Sequence, residues 1–200
     1  LTVSNLKTDF KLTPTRMDFN NLNLVTPNSD IIGQIVFTYE PGGMEDFENE
    51  VNIVADFEDA IISTTDLANF YSEFGKGYEL EIDNTQIKGT LNDFTVVDSD
   101  IRGMDRSVIQ GDFRIRNVVG NPQNFNLDGE FKNLTTNYYD LANLLPNVLG
   151  NSLPKELYKL GNVKAVGNAI VTTNDVDLDL DLYSQLGKVN VFVLLGELDD

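Results

Sequence analysis

The stretch that decides the fold is "NDVDLDLDLY", residues 174–183. Four apolar residues alternate in it with four aspartates: Val176, Leu178, Leu180 and Leu182 against Asp175, Asp177, Asp179 and Asp181. Alternation with a period of two is typical of a β-strand with one apolar and one polar face. We therefore predict a strand whose aspartates face solvent and whose apolar residues face the interior of the protein.

Comparable alternation continues along the rest of the chain. It occurs at 31–39, 51–57, 78–82, 87–91, 109–115, 125–131 and 189–195. Turn signals such as "PGG" at 41–43 and "GNP" at 120–122 separate these runs. About a dozen strands of this kind predict an all-β dominated fold, built on an antiparallel sheet.

Short helices are expected between the sets of strands. The segments "STTDLANFYSEFG" (63–75) and "NYYDLANLLPNVLG" (137–150) have helical apolar spacing, and "SLPKELYKLG" (152–161) predicts a third helical turn. We predict that the two longer helices cap the apolar face of the sheet; the alternative is that they plug or gate a groove along it. The residues predicted to do so are Leu67, Phe70, Phe74, Tyr138, Leu141 and Leu145.

The chain also contains an internal repeat. The tetrapeptide "DLAN" occurs at 66–69 and 140–143, and a phenylalanine lies nine residues before each copy, at Phe57 and Phe131. The phrase Ser-x-Ile-x-Gly likewise occurs at 29–33 and 107–111. Repeats favour an elongated sheet that grows by adding similar units. We predict a single fragment, 1–200, of a repeating β-groove with approximate units 29–104 and 105–200.

Four glycines lie in phase with the apolar face: Gly33, Gly89, Gly111 and Gly129. Glycine weakens a strand because it adds no packing and costs backbone entropy. Its recurrence on this face predicts either strong curvature, where side chains would collide, or β-bulges. The sequence pattern does not distinguish the two.

The composition excludes several classes of function. The formal net charge is −18, and the chain contains no histidine and no cysteine. A surface this acidic repels nucleic acid, which proteins bind by neutralising its phosphates. Without histidine or cysteine there is no Ser-His-Asp triad, cysteine nucleophile, disulfide or zinc site of the usual ligands. We expect a non-enzymatic protein with no cofactor and no bound metal.

The aspartates at 175–181 allow one alternative, a calcium-dependent adhesin-like domain. Calcium needs six to eight oxygens that converge on one point, whereas the carboxylates of a straight strand point in parallel. We therefore favour a solvated outer face, where charges also discourage edge-to-edge association.

The segments "DLANFYSEFGKGYELEIDNTQIKGTLNDFTV" and "YYDLANLL…VKAVGNAIVTT" resemble the repeats of the Bacteroidota-type TamB family, within the AsmA-like group. The Asp-Leu-Ala helix and the following apolar-x-Gly-x-apolar strands carry the resemblance, which spans most of the chain. It implies a long curled β-sheet, a β-taco with a hydrophobic groove. It also implies a periplasmic location, in a parent chain anchored in the inner membrane.

The resemblance further implies transport of phospholipid between the inner and outer membranes, or support of outer-membrane protein assembly and secretion. Its implied partners are phospholipid acyl chains and a BamA-like outer-membrane protein, the latter contacted through other parts of the parent chain. Because this chain begins within an alternating run, we expect a middle section of a longer protein.

The apolar residues in phase with the strands are the predicted lining of the groove. They are Ile35, Phe37, Ile53, Phe57, Ile82, Leu91, Phe113, Phe131, Leu178, Leu180 and Val191. The competing interpretation is a structural or interaction module, a β-solenoid or sandwich, in which the same residues form a closed core.

Overall fold

All strands that the structure describes belong to one open antiparallel sheet. The computed structural model describes residues 2–69, 74–117, 124–144, 146 and 155–195. The sheet has eleven strands, and each one pairs with its neighbours in sequence order. The predicted all-β dominated fold, an antiparallel sheet with a few short helices, is therefore confirmed.

Most strands coincide with the predicted alternating runs, but three strands lie outside those runs: Arg16–Val25, Asp93–Gly103 and Asn162–Thr172. The bounds of all the strands are β1 Asn5–Thr13, β2 Arg16–Val25, β3 Asp30–Thr38, β4 Asn52–Ser63, β5 Glu79–Thr90, β6 Asp93–Gly103, β7 Ser107–Arg116, β8 Asn126–Asn137, β9 Asn162–Thr172, β10 Val176–Ser184 and β11 Gly187–Leu195. The described helices are α1 Phe47–Glu50, α2 Thr64–Leu67 and α3 Tyr138–Leu144, with 3₁₀ helices at Gly43–Asp46 and Lys155–Leu160.

Cross-strand partners define an inner face that runs through the whole sheet. Leu180 pairs with Gly167 on one side and with Val191 on the other. Gly167 in turn pairs with Phe131, which pairs with Gly111. Because directly opposite residues point to the same side of a sheet, these positions form one continuous row across β7 to β11.

A line of irregularities crosses the sheet near the middle of the strands. The register shifts between β2 and β3, β3 and β4, β6 and β7, β7 and β8, and β8 and β9. Asn21, Asn84 and Asp98, in the middle of their strands, have left-handed φ values of 51°, 44° and 50°. A bulge bends its strand and increases the local twist, so bulges in line fold the sheet along a crease.

The glycines at this crease are required by close approach of the backbone. A Cβ atom added to Gly33 would lie 2.1 Å from the Asp56 carbonyl oxygen. One added to Gly111, whose φ is 151°, would lie 2.2 Å from the Glu130 carbonyl oxygen. Register shifts adjoin both glycines. Of the two explanations left open by the sequence, bulges account for these two positions.

The core forms where the two halves of the bent strands meet. In β4, Ala55 and Phe57 before the bulge pack in one cluster with Ala60 and Ile62 after it. A second cluster, of Val96, Phe113, Phe131 and Ala169, continues the core through β6 to β9. The apolar face is thus folded onto itself along the crease.

Three sequence predictions are corrected by the strand and helix ends. The runs 78–82 and 87–91 form one strand, β5, in which the left-handed Asn84 resets the alternation, so that the buried positions Ile82 and Thr85 are three residues apart. Leu91 lies in the turn between β5 and β6, so it is not on a strand face. The helix predicted at 63–75 has only the described turn α2, and residues 70–73 lie outside the described part of the chain.

Candidate functional site

The inner face of the sheet is the candidate functional site. Its residues at the crease are buried, with Phe131 exposed by 5% and Leu180 by 8%. Further from the crease the side chains are half-buried, as at Ile35, Ile53 and Leu178. The depth of burial therefore falls from the crease outward, and the two flanking halves of the face retain accessible apolar surface.

The inner face is most exposed at the first and last strands. Phe10 of β1 pairs with Phe19 and is 52% exposed, and Leu12 is 61% exposed. On β11, Val189 pairs with Leu182 and is 54% exposed. Because β1 and β11 each pair with a single strand, the apolar face reaches both free edges of the sheet.

Nearly all the predicted lining residues lie on this face. They are Ile35, Phe37, Ile53, Phe57, Ile82, Phe113, Phe131, Leu178, Leu180 and Val191. Phe37 belongs to a chain of aromatic rings that ends on α1, with centroids 5.9 Å from Phe19 and 5.6 Å from Phe47. Leu91 is the exception, since the β5–β6 turn removes it from the face.

The first DLAN segment is anchored by Asp66, a buried carboxylate. It accepts hydrogen bonds from the hydroxyls of Thr26 at 2.5 Å and Ser29 at 2.7 Å, and from the Asn28 amide at 3.3 Å. All three donors belong to the turn between β2 and β3. Burial opposes ionisation of Asp66, but these hydrogen bonds outweigh it and hold its pKa below the ordinary value.

The second DLAN segment is anchored in the same way by Asp140. Its carboxylate accepts a hydrogen bond of 2.7 Å from the Ser107 hydroxyl, and others from the backbone N–H groups of Asp105 and Arg106. Asp105 and Arg106 belong to the turn between β6 and β7, and Ser107 is the first residue of β7. The Asn137 side chain accepts from the Asp140 N–H and so caps the first turn of α3.

The two anchors are equivalent, four strands apart in the sheet. Ser29 and Ser107 are the serines of the repeated Ser-x-Ile-x-Gly phrase, and the glycines of that phrase lie at the crease. Each repeat thus ties a helix to the turn that precedes the pair of strands before it: α2 to the β2–β3 turn, and α3 to the β6–β7 turn. The units 29–104 and 105–200 remain predicted boundaries.

The anchored helices lie at one rim of the folded sheet and contact its inner face. Leu67 of α2 packs against the first core cluster. Leu141 and Leu144 of α3 line an apolar cavity of about 50 Å³ together with Leu80 and Ile109. The N–H of Gly75 donates to the carbonyl of Leu144, which joins the segment after α2 to the end of α3.

The other predicted capping residues, Tyr138, Phe74, Phe70 and Leu145, do not share one environment. The Tyr138 ring meets that of Tyr139 edge-on, with centroids 5.4 Å apart. Phe74 lies in a half-buried bend between α2 and β5. Phe70, the Leu145 side chain and residues 147–150 lie outside the described part of the chain.

The opposite face carries the aspartates that opened the sequence analysis. Asp177, Asp179 and Asp181 alternate with the inward leucines of β10, whereas Asp175 lies in the preceding turn. Asn190 first, and then Lys188, donate hydrogen bonds that hold the pKa of Asp181 below its ordinary value. The described residues include no group of three or more acidic side chains placed to hold a metal ion.

Comparisons with known proteins leave the family open. No family model, no curated protein and no solved structure matches the chain. The resemblance to TamB therefore stays a prediction that depends on the DLAN and apolar-x-Gly-x-apolar motifs. No helix in the described part of the chain is long and apolar enough to span a membrane.

Sequence analysis missed the donors that anchor the helices. The repeated serines at 29 and 107 were a signal, since each begins the second repeated phrase. Their carboxylate partners follow 37 and 33 residues later. No local pattern links positions so far apart, so the pairing emerges only when the strands assemble.

Proposed function

We propose that this chain is a segment of an envelope protein that shelters the acyl chains of phospholipids as they pass between the inner and outer membranes. The protein acts without catalysis. Its inner face excludes water from the lipid chains, and its acidic outer face keeps the segment soluble. Support of outer-membrane protein assembly by the same groove is the second form of this proposal.

A single observation carries the proposal: one open, creased sheet whose apolar inner face reaches both free edges. Sandwiches cover such a face with a second sheet. All described strands here belong to one sheet, so within the described part of the chain its own fold and the short helices at one rim cover the face. Exposed apolar surface beside a buried crease suits a long, flexible apolar ligand.

The charge distribution supports the same function. Aspartates of β10 lie on the outer face, opposite the leucines of the same strand. Arg102 on β6 bridges Asp83 and Asp100 across neighbouring strands, at 3.0 and 2.6 Å. The formal charge of −18 keeps this outer surface hydrated. The outer face is largely charged, although exposed apolar side chains such as Phe192 and Leu194 interrupt it at β11. A sheet with one largely charged face and one apolar face separates a lipid from water.

Site-specific photo-crosslinking tests the proposal. A benzophenone amino acid is placed at Leu178, which is half-buried on the inner face, and at its exposed neighbour Asp179 as the matched control. Leu180 is less suitable because it is nearly buried at the crease. The parent protein is irradiated in cells whose phospholipids are radiolabelled.

We expect labelled phospholipid at position 178 and not at 179. Polypeptide adducts at 178 without lipid would favour the protein-assembly form. Labelling at neither position, in a folded and correctly located protein, would mean that the face is a closed core, and the proposal would be abandoned.

A further inference from the structure

A second cavity, which we call the rim pocket, lies at the rim that carries α2 and α3. It has a volume of about 480 Å³, within the range of small-molecule sites. Its walls come from the β6–β7 turn, α3, the 3₁₀ helix and the start of β9, with Tyr78 at the entry to β5. The pocket is therefore assembled from elements far apart in sequence.

Four tyrosines dominate the rim pocket: Tyr78, Tyr138, Tyr139 and Tyr158. Their ring faces attract cations through the quadrupole of the aromatic ring. Among the described residues none of the four hydroxyls makes a hydrogen bond, and neither do the side-chain amides of Asn143 and Asn162. The pocket thus combines tyrosine side chains with several polar groups that make no hydrogen bond to another described residue.

Two opposite charges lie beside the tyrosines, on the β6–β7 turn. The Arg106 guanidinium is 3.8 Å from the Asp105 carboxylate, and the two side chains are 68% and 77% exposed. Such a long, exposed ion pair contributes little stability, so either partner is available to a ligand. Asp140, by contrast, is buried and already occupied by its hydrogen bonds to the turn.

The rim pocket adjoins the apolar cavity beneath α3. Met104 and Asp140 line both spaces. The apolar cavity is bounded by Leu80 and Ile109 of the inner face and by Leu141 of α3. A ligand that enters both spaces must have a polar end and an apolar end.

We infer that the rim pocket binds the headgroup of a zwitterionic phospholipid, an amine cation joined to a phosphate, while the acyl chains follow the inner face. The amine lies against the tyrosine faces and the Asp105 carboxylate. The phosphate accepts hydrogen bonds from Arg106, whose planar guanidinium matches phosphate oxygens, and from the tyrosine hydroxyls. This inference rests on the proposed function and adds the class of lipid.

The charges of the pocket favour a zwitterion over an anionic headgroup. Asp105 and Asp140 contribute two negative charges against the single positive charge of Arg106. The rest of the chain is also strongly acidic. An anionic lipid would gain Arg106 but would leave the Asp105 carboxylate and the tyrosine rings without a cation.

Calorimetric titration of the purified chain tests this inference. The probes are dihexanoyl-phosphatidylethanolamine, dihexanoyl-phosphatidylglycerol with the same chains, and free phosphoethanolamine, all below their micelle concentrations. We expect the ethanolamine lipid to bind about tenfold more tightly than the glycerol lipid, which corresponds to about 1.4 kcal/mol. The combined variant Asp105→Asn/Tyr158→Leu removes groups assigned to the amine and keeps Arg106. It should lose this preference, and its affinity for the glycerol lipid should not fall.

Matched controls are Asp93→Asn and Tyr183→Leu. Arg114 pairs with Asp93 and Tyr183 with Lys188, away from the pocket. These variants should keep the tenfold preference.

Three other outcomes of the titration would each contradict a different part of the inference. Equal affinity for the two lipids would overturn the headgroup site and leave the groove intact. Free phosphoethanolamine that binds as tightly as the lipid would show a site for a soluble ligand instead. No binding of either lipid would overturn the headgroup site and the proposed function together.

Discussion

The Ser107 hydroxyl lies 2.7 Å from the Asp140 carboxylate, and this hydrogen bond joins the start of β7 to a residue of α3 that lies 33 residues later. The same bond, also of 2.7 Å, joins Ser29 to Asp66 in the other repeat. The repeat therefore conserves a long-range contact, and its two short sequence phrases are the two halves of that contact.

Loss of the Asp140 carboxylate should destabilise the sheet. In Asp140→Ala the Ser107 hydroxyl and two backbone N–H groups lose their acceptor. We expect the free energy of unfolding to fall by about 3 kcal/mol, measured by urea denaturation. The control Asp59→Ala, at an exposed position, should stay within about 0.5 kcal/mol of the parent. Equal losses in both variants would contradict the anchoring role.

The stability of the chain should depend on the protonation of Asp66. Its pKa is lower in the folded chain than in the unfolded chain, since hydrogen bonds favour the charged form. The stabilisation is therefore complete above the unfolded pKa and is lost as the pH falls through the folded pKa.

Urea titrations of the parent and of Asp66→Asn between pH 7 and pH 2 measure this effect. We expect the difference in unfolding free energy between the two proteins to shrink below about pH 4. A difference that stays constant over this range would show that the charge of Asp66 contributes nothing.

A side chain at Gly111 should disrupt the crease. The added Cβ of Gly111→Ala would meet the Glu130 carbonyl at 2.2 Å, so the paired strands must separate. We expect a loss of about 3 kcal/mol in unfolding free energy. Gly187→Ala is the control, because Gly187 also has a positive φ, of 131°, but open space around it. The unfolding free energy of Gly187→Ala should fall by about 1 kcal/mol. If it falls as much as that of Gly111→Ala, the positive φ alone would explain both losses, without a contact at the crease.

A charge on the inner face should reduce lipid capture without unfolding the chain. Leu178 is half-buried, so Leu178→Asp should fold. It should lower crosslinking of phospholipid at Val191 at least fivefold, which corresponds to a loss of about 1 kcal/mol in lipid-binding free energy. Phe192→Asp places the same charge on the outer face of β11, where Phe192 is 71% exposed. That variant should capture lipid normally; equal reduction in both would remove the distinction between the faces.

Leu180→Asp should behave differently from Leu178→Asp. Leu180 is only 8% exposed at the crease, where an unpaired carboxylate cannot be hydrated. We expect this variant to lose the cooperative unfolding transition, observed by circular dichroism. A stable Leu180→Asp protein would show that water reaches the crease.

The sequence by itself determined the strands, their two faces and the repeat. Alternation in "NDVDLDLDLY" places Leu178 and Leu180 inward and Asp179 outward, because successive side chains of a strand point to opposite sides. This rule is local, so it needs no knowledge of the fold. It failed at Leu91, where the hairpin turn ends the strand.

Tertiary structure alone decided the crease, the helix anchors and the rim pocket. The bulge at Asp98 depends on the register of the neighbouring strand, which no local pattern specifies. The bonds of Asp66 and Asp140 reach donors more than thirty residues away. The pocket tyrosines are likewise carried on separate elements. These features depend on which strands become neighbours, and only the assembled sheet brings such distant residues together.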